Sequence, residues 1–525
     1  MAVEPVSSQP AEPGSSKATR EPERRRRNDD AEWEISEVSG QSSLMHLHDP
    51  EVKGNRLCCS YRLVISIGAF LAFFEATLLR IGTVMAMVCM TDTNQSVSDA
   101  DKDCPPLTRD RGQNEYEFSW SGEFQGFITS GVFYGFLVGP FVGGFLSYVF
   151  GGRIILTLGT SFAGLTHVLI PELTRLNPYF FFGIRIVTGF FAGMIFPATL
   201  GILSHWTVPE ERQVLVGGAL IGVPFCSVVN FPMNGLLCLY WGWESIFYLS
   251  TAALLAYSVF SFFFMSDYPQ TCRYLKSNEK NYIVPNVPAR TRTLKVPWRA
   301  IFTSIPIYSY ILTHFCINYV FITVILHLPL FMKEVHHFHL RSNSFLSAAP
   351  YIGSLLTRII VTFTFNKVQR CFKLTTNYLR KTNVFIGVTV PIFTLLAVSF
   401  IPCSYRYFAL VCFIIFSMAL EMSISGGYFL SLLDLCPSYT HIMSGVANAV
   451  ANVAGLLSAI ATGYFRTTGT HDEWNHVFFI AMGFLMIAGL VYILFGSNEL
   501  EPWGLVQTSE TKEEEKKDTA EEKKP

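Results

Sequence analysis

Twelve apolar runs, most of them near or above the ~20 residues that carry an α-helix across a bilayer, recur along the chain. They fall at about 63–90, 122–149, 154–171, 179–204, 213–239, 246–266, 301–332, 346–365, 383–401, 408–431, 442–464 and 476–496. The runs are continuous rather than alternating, which excludes a transmembrane β-barrel. Between the sixth and seventh lies a polar segment, 267–299, with seven Lys/Arg (Arg273, Lys276, Lys280, Arg290, Arg292, Lys295, Arg299) against Asp267 and Glu279. By the positive-inside rule it is cytosolic. The loop Asn366 to Lys381, with five Lys/Arg and no acid, falls on the same side two runs later, as an alternating path demands. Six spans plus six follow, with both termini in the cytosol. The expected division is a disordered tail (1–57), a six-helix half (58–266), the basic central loop (267–299), a second six-helix half (300–498) and a cytosolic tail (499–525).

Composition agrees with an all-α polytopic membrane protein: of 525 residues half are apolar, 46 are phenylalanine and only 15% are charged. The net charge of −1 names no partner, and nothing marks nucleic-acid binding. There is no phosphate-cradling G-x-x-x-x-G-K-[ST] loop, no HExxH and no GxSxG, so neither a transport ATPase nor an enzyme is expected, nor any cofactor. The twelve cysteines are scattered, mostly within apolar runs, without metal-ligand spacing; they are read as small core residues, with neither a disulfide framework nor a metal site. Asn94-Gln95-Ser96, in the polar loop after the first run, is the one glycosylation sequon.

A few polar residues interrupt the runs, and these carry the chemistry. Arg185 sits inside the fourth, where an arginine costs at least ~2.5–3.5 kcal/mol and normally faces a bundle interior or an aqueous path. Gly189, Gly193 and Pro197 follow at four-residue spacing, a face that admits a close neighbouring helix. The first run holds Glu75 and Arg80. Guanidinium groups stay charged and hold carboxylate or phosphate in a bidentate fork, so Arg80 and Arg185 suit an anionic substrate; the alternative is a permanent structural pairing of each. His314 and Asn318 share a face of the seventh run, and Asn448 and Asn452 a face of the eleventh. Tyr134 and Tyr319 are candidates to close a cavity, aromatic packing being the alternative. Glu75, His314 and Glu421 are the groups able to take a coupling proton or cation; for Glu421 the rival role is an ion pair with Arg358.

Several stretches, in order over roughly 60–503, resemble the family of sialin, the vesicular glutamate transporters and the type I sodium-phosphate cotransporters, solute carrier family 17. They include Phe118-Ser119-Trp120-Ser121, Phe133-Tyr134-Gly135, Gly151-Gly152-Arg153, Phe196-Pro197-Ala198, Pro209-Glu210-Glu211-Arg212, Trp241-Gly242-Trp243, Pro350-Tyr351-Ile352-Gly353 and Leu433-Asp434-Leu435-Cys436-Pro437-Ser438-Tyr439. The resemblance implies a major facilitator fold, two six-helix halves rocking about a midplane site. It also implies a small anionic substrate of the phosphate, carboxylate, sialate, glutamate or urate class, and aligns Arg80 with the family's first-span arginine. One departure matters: the family's fourth-span arginine is followed seven residues later by a glutamate, and here that residue is Ala192. The expectation is therefore a secondary anion transporter whose coupling ion, Na+ or H+, is open, in a plasma or endolysosomal/vesicular membrane. The alternative is a transporter-like anion receptor or scaffold without net transport.

Overall fold

The computed structural model describes residues 60–91, 117–120, 122–287, 296–336, 340–466 and 469–504. The sequon at Asn94, the tail 1–57 and the residues beyond 504 lie outside them. Twelve helices are long and apolar enough to cross a membrane: Tyr61–Met90, Phe124–Phe150, Gly152–Leu176, Pro178–Trp206, Pro209–Trp241, Glu244–Phe264, Ile305–Met332, Phe345–Phe372, Thr376–Val398, Cys403–Leu435, Pro437–Phe465 and His471–Phe495. They are called the first to twelfth spans. Their starts carry the expected caps: the side chains of Ser60, Ser304 and Thr375 accept from the backbone N–H three residues on, at Leu63, Ile307 and Tyr378.

The chain departs from the expected pattern in four places. The stretch 366–381 is not a loop: the eighth span runs to Phe372 and the ninth begins at Thr376, so the turn is three residues long and takes Lys373 through a φ of 50°. Of the charges assigned to that loop, Arg380 is buried and its Nη2 lies 2.7 Å from Asp434 Oδ2. The central segment carries a short helix, Ser277–Ile283, whose Glu279 caps the first span by accepting from the Tyr61 and Arg62 backbone and from Arg62 Nε (3.1 Å). The start of the final tail docks: Glu501 N donates to Leu435 O (3.0 Å), and Gly504 O accepts from Ser438 N (3.2 Å). Cysteines are not all free core residues either, since Cys89 and Cys238 form a disulfide. The ends of the first and fifth spans bring their Cα atoms to 6.3 Å, within bonding range, an adjacency that spacing in the sequence does not encode.

Close helix contact follows the small residues. Gly189 lies against the Val132 carbonyl and Gly193 against Pro140, so the fourth-span face expected from its spacing meets the second span. The second span in turn meets the eleventh, with Gly144 against His441 O and Ser147 Oγ 3.0 Å from His441 Nδ1.

The tenth span is broken. Between Ser423 and Ser431 the backbone widens into a turn, Ile424–Tyr428, at the sequence Ser425-Gly426-Gly427-Tyr428. Buried carbonyls released by such a break must find donors inside the protein. Here Gln213 Nε2 donates to Ser425 O and Asn383 Nδ2 to Gly426 O, each at 2.9 Å, and Arg380 Nη1 to Gly427 O at 3.4 Å. The break turns Tyr428 and Phe429 toward the interior.

Candidate functional site

A cavity lies between the spans. Its wall is shared by both groups of six: Thr77, Arg80, Phe196 and Ser227 from the first, and His314, Asn318, Tyr351, Arg358, Glu421, Tyr428, Asn448 and Asn452 from the second. Apolar and aromatic walls with a few convergent polar groups are the usual lining of a small-ligand site.

Arg80 is the unmatched charge. Its Nη2 donates to Asn452 Oδ1 at 3.4 Å and its guanidinium lies over the Phe136 ring, 4.3 Å from the centroid. Among the described residues no carboxylate forms an ion pair with it. Asn452 is presented because its Nδ2 is held by Asn448 O (2.7 Å), one helical turn earlier, which leaves Oδ1 free to accept. Asn448 is held the same way on Ser444 O, at 2.8 Å.

The facing wall is neutral. Arg358 and Glu421, both buried, form an ion pair, and Arg358 Nη1 also donates to Leu220 O (2.7 Å) across to the fifth span. The rival role considered for Glu421 is thus the observed one. His314 Nδ1 and the Tyr428 hydroxyl are 3.0 Å apart, and Asn318 Nδ2 donates to His314 O (2.8 Å). The shared face of His314 and Asn318 is realised, with the ring fixed by a tyrosine delivered by the tenth-span break.

Five residues singled out from the sequence stand elsewhere. Arg185 is 1% exposed but does not line the cavity; its Nη1 donates to Leu79 O (3.2 Å), which places the guanidinium behind the first span. Tyr134 is exposed on the outer surface, edge-on to Phe182 at 5.8 Å, because one residue of helical rotation separates it from Phe133, which packs at Gly455. Tyr319 is turned the same way from Asn318 and packs on Phe484, 4.2 Å between centroids. Glu75 and Ala192 are buried and absent from the cavity lining. Tyr428, Ser354 and Thr77 belong to the wall and were not anticipated; the Gly426-Gly427 pair inside an apolar run is the signal for the first.

A second charged cluster closes the end opposite the central segment. Arg175 Nε donates to Glu117 Oε1 (2.8 Å), the same guanidinium pairs with Glu244, and Trp243 Nε1 donates to Glu117 Oε2 (2.8 Å). These donors, Arg175 first, hold the Glu117 carboxyl below the usual carboxylate range.

Twelve apolar spans around a central polar cavity have the make-up of a multi-pass transporter. Residues 65–459 match the Major Facilitator Superfamily, and the chain belongs to that family. Its relatives include human sialin, 29% identical over 463 residues (87% of this chain, 93% of sialin), and a putative inorganic phosphate cotransporter of Drosophila melanogaster, 28% identical (89% and 90%). Vesicular glutamate transporter 2.2 of Danio rerio is 26% identical, covering 90% of this chain and 80% of the relative. These are the groups whose motifs the sequence resembles. Among solved structures, the proton:xylose symporter XylE superposes with a TM-score of 0.62 at 16% identity, covering 84% of this chain and 96% of its own. A bacterial homologue of the iron transporter ferroportin gives 0.59 at 12% identity, covering 84% and 99%. Both share the fold.

Proposed function

We propose that the protein moves a small organic or inorganic anion across a membrane by alternating access, with Arg80 as the anchor of the anion. The observation that carries this reading is the unmatched guanidinium of Arg80 in a cavity whose other arginine is cancelled by Glu421. An uncompensated cation in the wall of a low-dielectric cavity favours a negatively charged ligand. His314, Asn318, Asn448 and Tyr428 supply donors and acceptors for the rest of the molecule, and Phe196, Phe321 and Phe429 an apolar surface. The relatives named sialin, vesicular glutamate transporter and putative inorganic phosphate cotransporter support a carboxylate or phosphate as the cargo. Arg185 acts one layer back, holding the first span at Leu79 so that Arg80 keeps its direction. The basic charge of the central segment supports a cytosolic position for that end and for both termini.

The test is counterflow in proteoliposomes containing the full-length protein. Labelled sialate, glutamate, urate and phosphate are each offered against an internal excess of the same anion. Exchange of at least one, absent from empty liposomes and inhibited by the others in proportion to their affinity, is expected. Binding of an anion with no exchange of any would replace transport with a receptor role.

A further inference from the structure

The three groups singled out from the sequence as able to carry a coupling ion are not equivalent. Glu421 is committed to Arg358, and His314 to Tyr428 and Asn318. Glu75 is 5% exposed, and among the described residues it enters no ion pair and its Oε2 has no hydrogen-bond donor. Buried carboxylate oxygens are normally satisfied, and the exceptions call for a functional account.

Its position gives one. Glu75 precedes Ala76 and Thr77, which line the cavity, and stands five residues before Arg80. The surface behind it is the fifth span, where Gly222, Cys226, Asn230 and Asn234 recur at four-residue spacing. Gly222 abuts Phe70, and Asn234 Nδ2 lies 3.9 Å from where a Cβ on Gly82 would be, so the two helices run in register and Cys226 falls at the level of Glu75. Asn230 and Asn234 are 0% and 1% exposed, and none of their four amide atoms has a protein partner. Buried amides of this kind are where internal water binds. They lead from Glu75 along the seam toward the end closed by Cys89 and Cys238.

Charged and titratable neighbours are few. The fifth span brings Cys226 and the sixth Tyr257, whose hydroxyl donates to Gly68 O (2.9 Å). The fourth brings Arg185, engaged at Leu79 O, the seventh His314, engaged at Tyr428, and the first span itself Arg80. Among the described residues Glu75 belongs to no group of three His, Cys, Asp or Glu able to hold a metal ion, which disfavours a divalent cation.

We propose that Glu75 is a proton-binding site that couples proton movement to the anion held at Arg80, reached through the Asn230 and Asn234 seam. This rests on the transport reading above. The carboxylate gains a proton from the aqueous phase on one side, forming an O–H bond, and loses it to the other after the spans rearrange; one proton accompanies each monoanion, and no other reactant is consumed.

Two measurements on the full-length protein separate this from the transport reading. Infrared difference spectra over a pH titration need no substrate: a titrating carboxylic-acid C=O band is expected, and it is expected to vanish in Glu75→Gln but not in Glu421→Gln. In proteoliposomes with an imposed pH gradient, Glu75→Gln is expected to lose accumulation at least about tenfold, equivalent to about 1.4 kcal/mol, while labelled-for-unlabelled exchange of the same anion continues. Asn234→Leu is expected to slow the pH-driven phase and leave the infrared band in place. A titrating band that survives Glu75→Gln, or pH-driven accumulation unchanged in that variant, overturns the assignment. Exchange absent from the wild type with the band still lost in Glu75→Gln overturns transport and leaves the proton site standing. Should Glu75→Gln elute as aggregate, Glu75→Asp serves instead, with a shifted band expected and an unshifted one contradicting the proposal.

Discussion

The two arginines that the cavity wall contributes, Arg80 from the first span and Arg358 from the eighth, are chemically identical and electrostatically opposite in effect. Arg358 lies beside Glu421 and also donates to Leu220 O, so its charge is cancelled and its hydrogen bonds tie two spans together. Arg80 has only an amide oxygen and an aromatic face, Asn452 and Phe136. A cation–π contact and one long hydrogen bond offset part of its desolvation and leave the charge itself unanswered. An arginine in a membrane span is therefore informative through its partners rather than its presence. The same lesson separates Arg80 from Arg185, which is more deeply buried yet faces a helix carbonyl instead of the cavity.

The contrast can be broken at either end. Removing the unmatched charge, Arg80→Gln, is expected to lower anion exchange about 100-fold, since losing one partner of a desolvated charge pair costs about 2–5 kcal/mol; counterflow rates measure it. Removing half of the matched pair, Glu421→Gln, leaves Arg358 buried without its acid. It is expected to destabilise the fold by about 3–5 kcal/mol, read as a fall in thermal melting, whereas Arg358→Met with Glu421→Met recovers most of the loss. Arg185→Gln removes a hydrogen bond rather than an anchor, and the expected cost is about 1 kcal/mol of stability with exchange reduced by no more than about threefold. A stronger effect on exchange than that of Arg80→Gln would reverse the roles.

The smallest effect concerns the charges outside the cavity. Glu117, its carboxyl depressed by Arg175 and Trp243, contributes stability that is fully present above its unfolded value, near pH 4.3, and is lost as pH falls through the lower folded value. Because the pair is about a third exposed, the contribution is under about 1 kcal/mol. Glu117→Gln is expected to lower melting by a degree or two at pH 7, roughly what so small a term allows, and by progressively less as pH falls below about 4.

Much of this architecture was legible beforehand because hydrocarbon length and charge asymmetry act on whole segments. All twelve apolar runs became spans, and the glycine spacing after Arg185 marked the seam with the second span. What the sequence could not supply was helical phase and partnership. Tyr134 differs from Phe133 by one rotation step and ends on the outer surface. Arg380 reads as a loop charge yet pairs with Asp434, because the eighth and ninth spans continue through the basic stretch. Tyr428 reaches His314 only because Gly426 and Gly427 break the tenth span, an effect of backbone geometry that periodicity does not reveal. The disulfide between Cys89 and Cys238 likewise depends on two helix ends meeting.

The central claim is that the anion sits on Arg80. Equilibrium binding of the labelled counterflow anion to purified full-length protein tests it without requiring a transport cycle. The account predicts that Arg80→Gln weakens binding at least about 30-fold, that Arg80→Lys recovers part of it through charge alone, and that Arg185→Gln binds within about threefold of the wild type. Wild-type affinity in Arg80→Gln would contradict it.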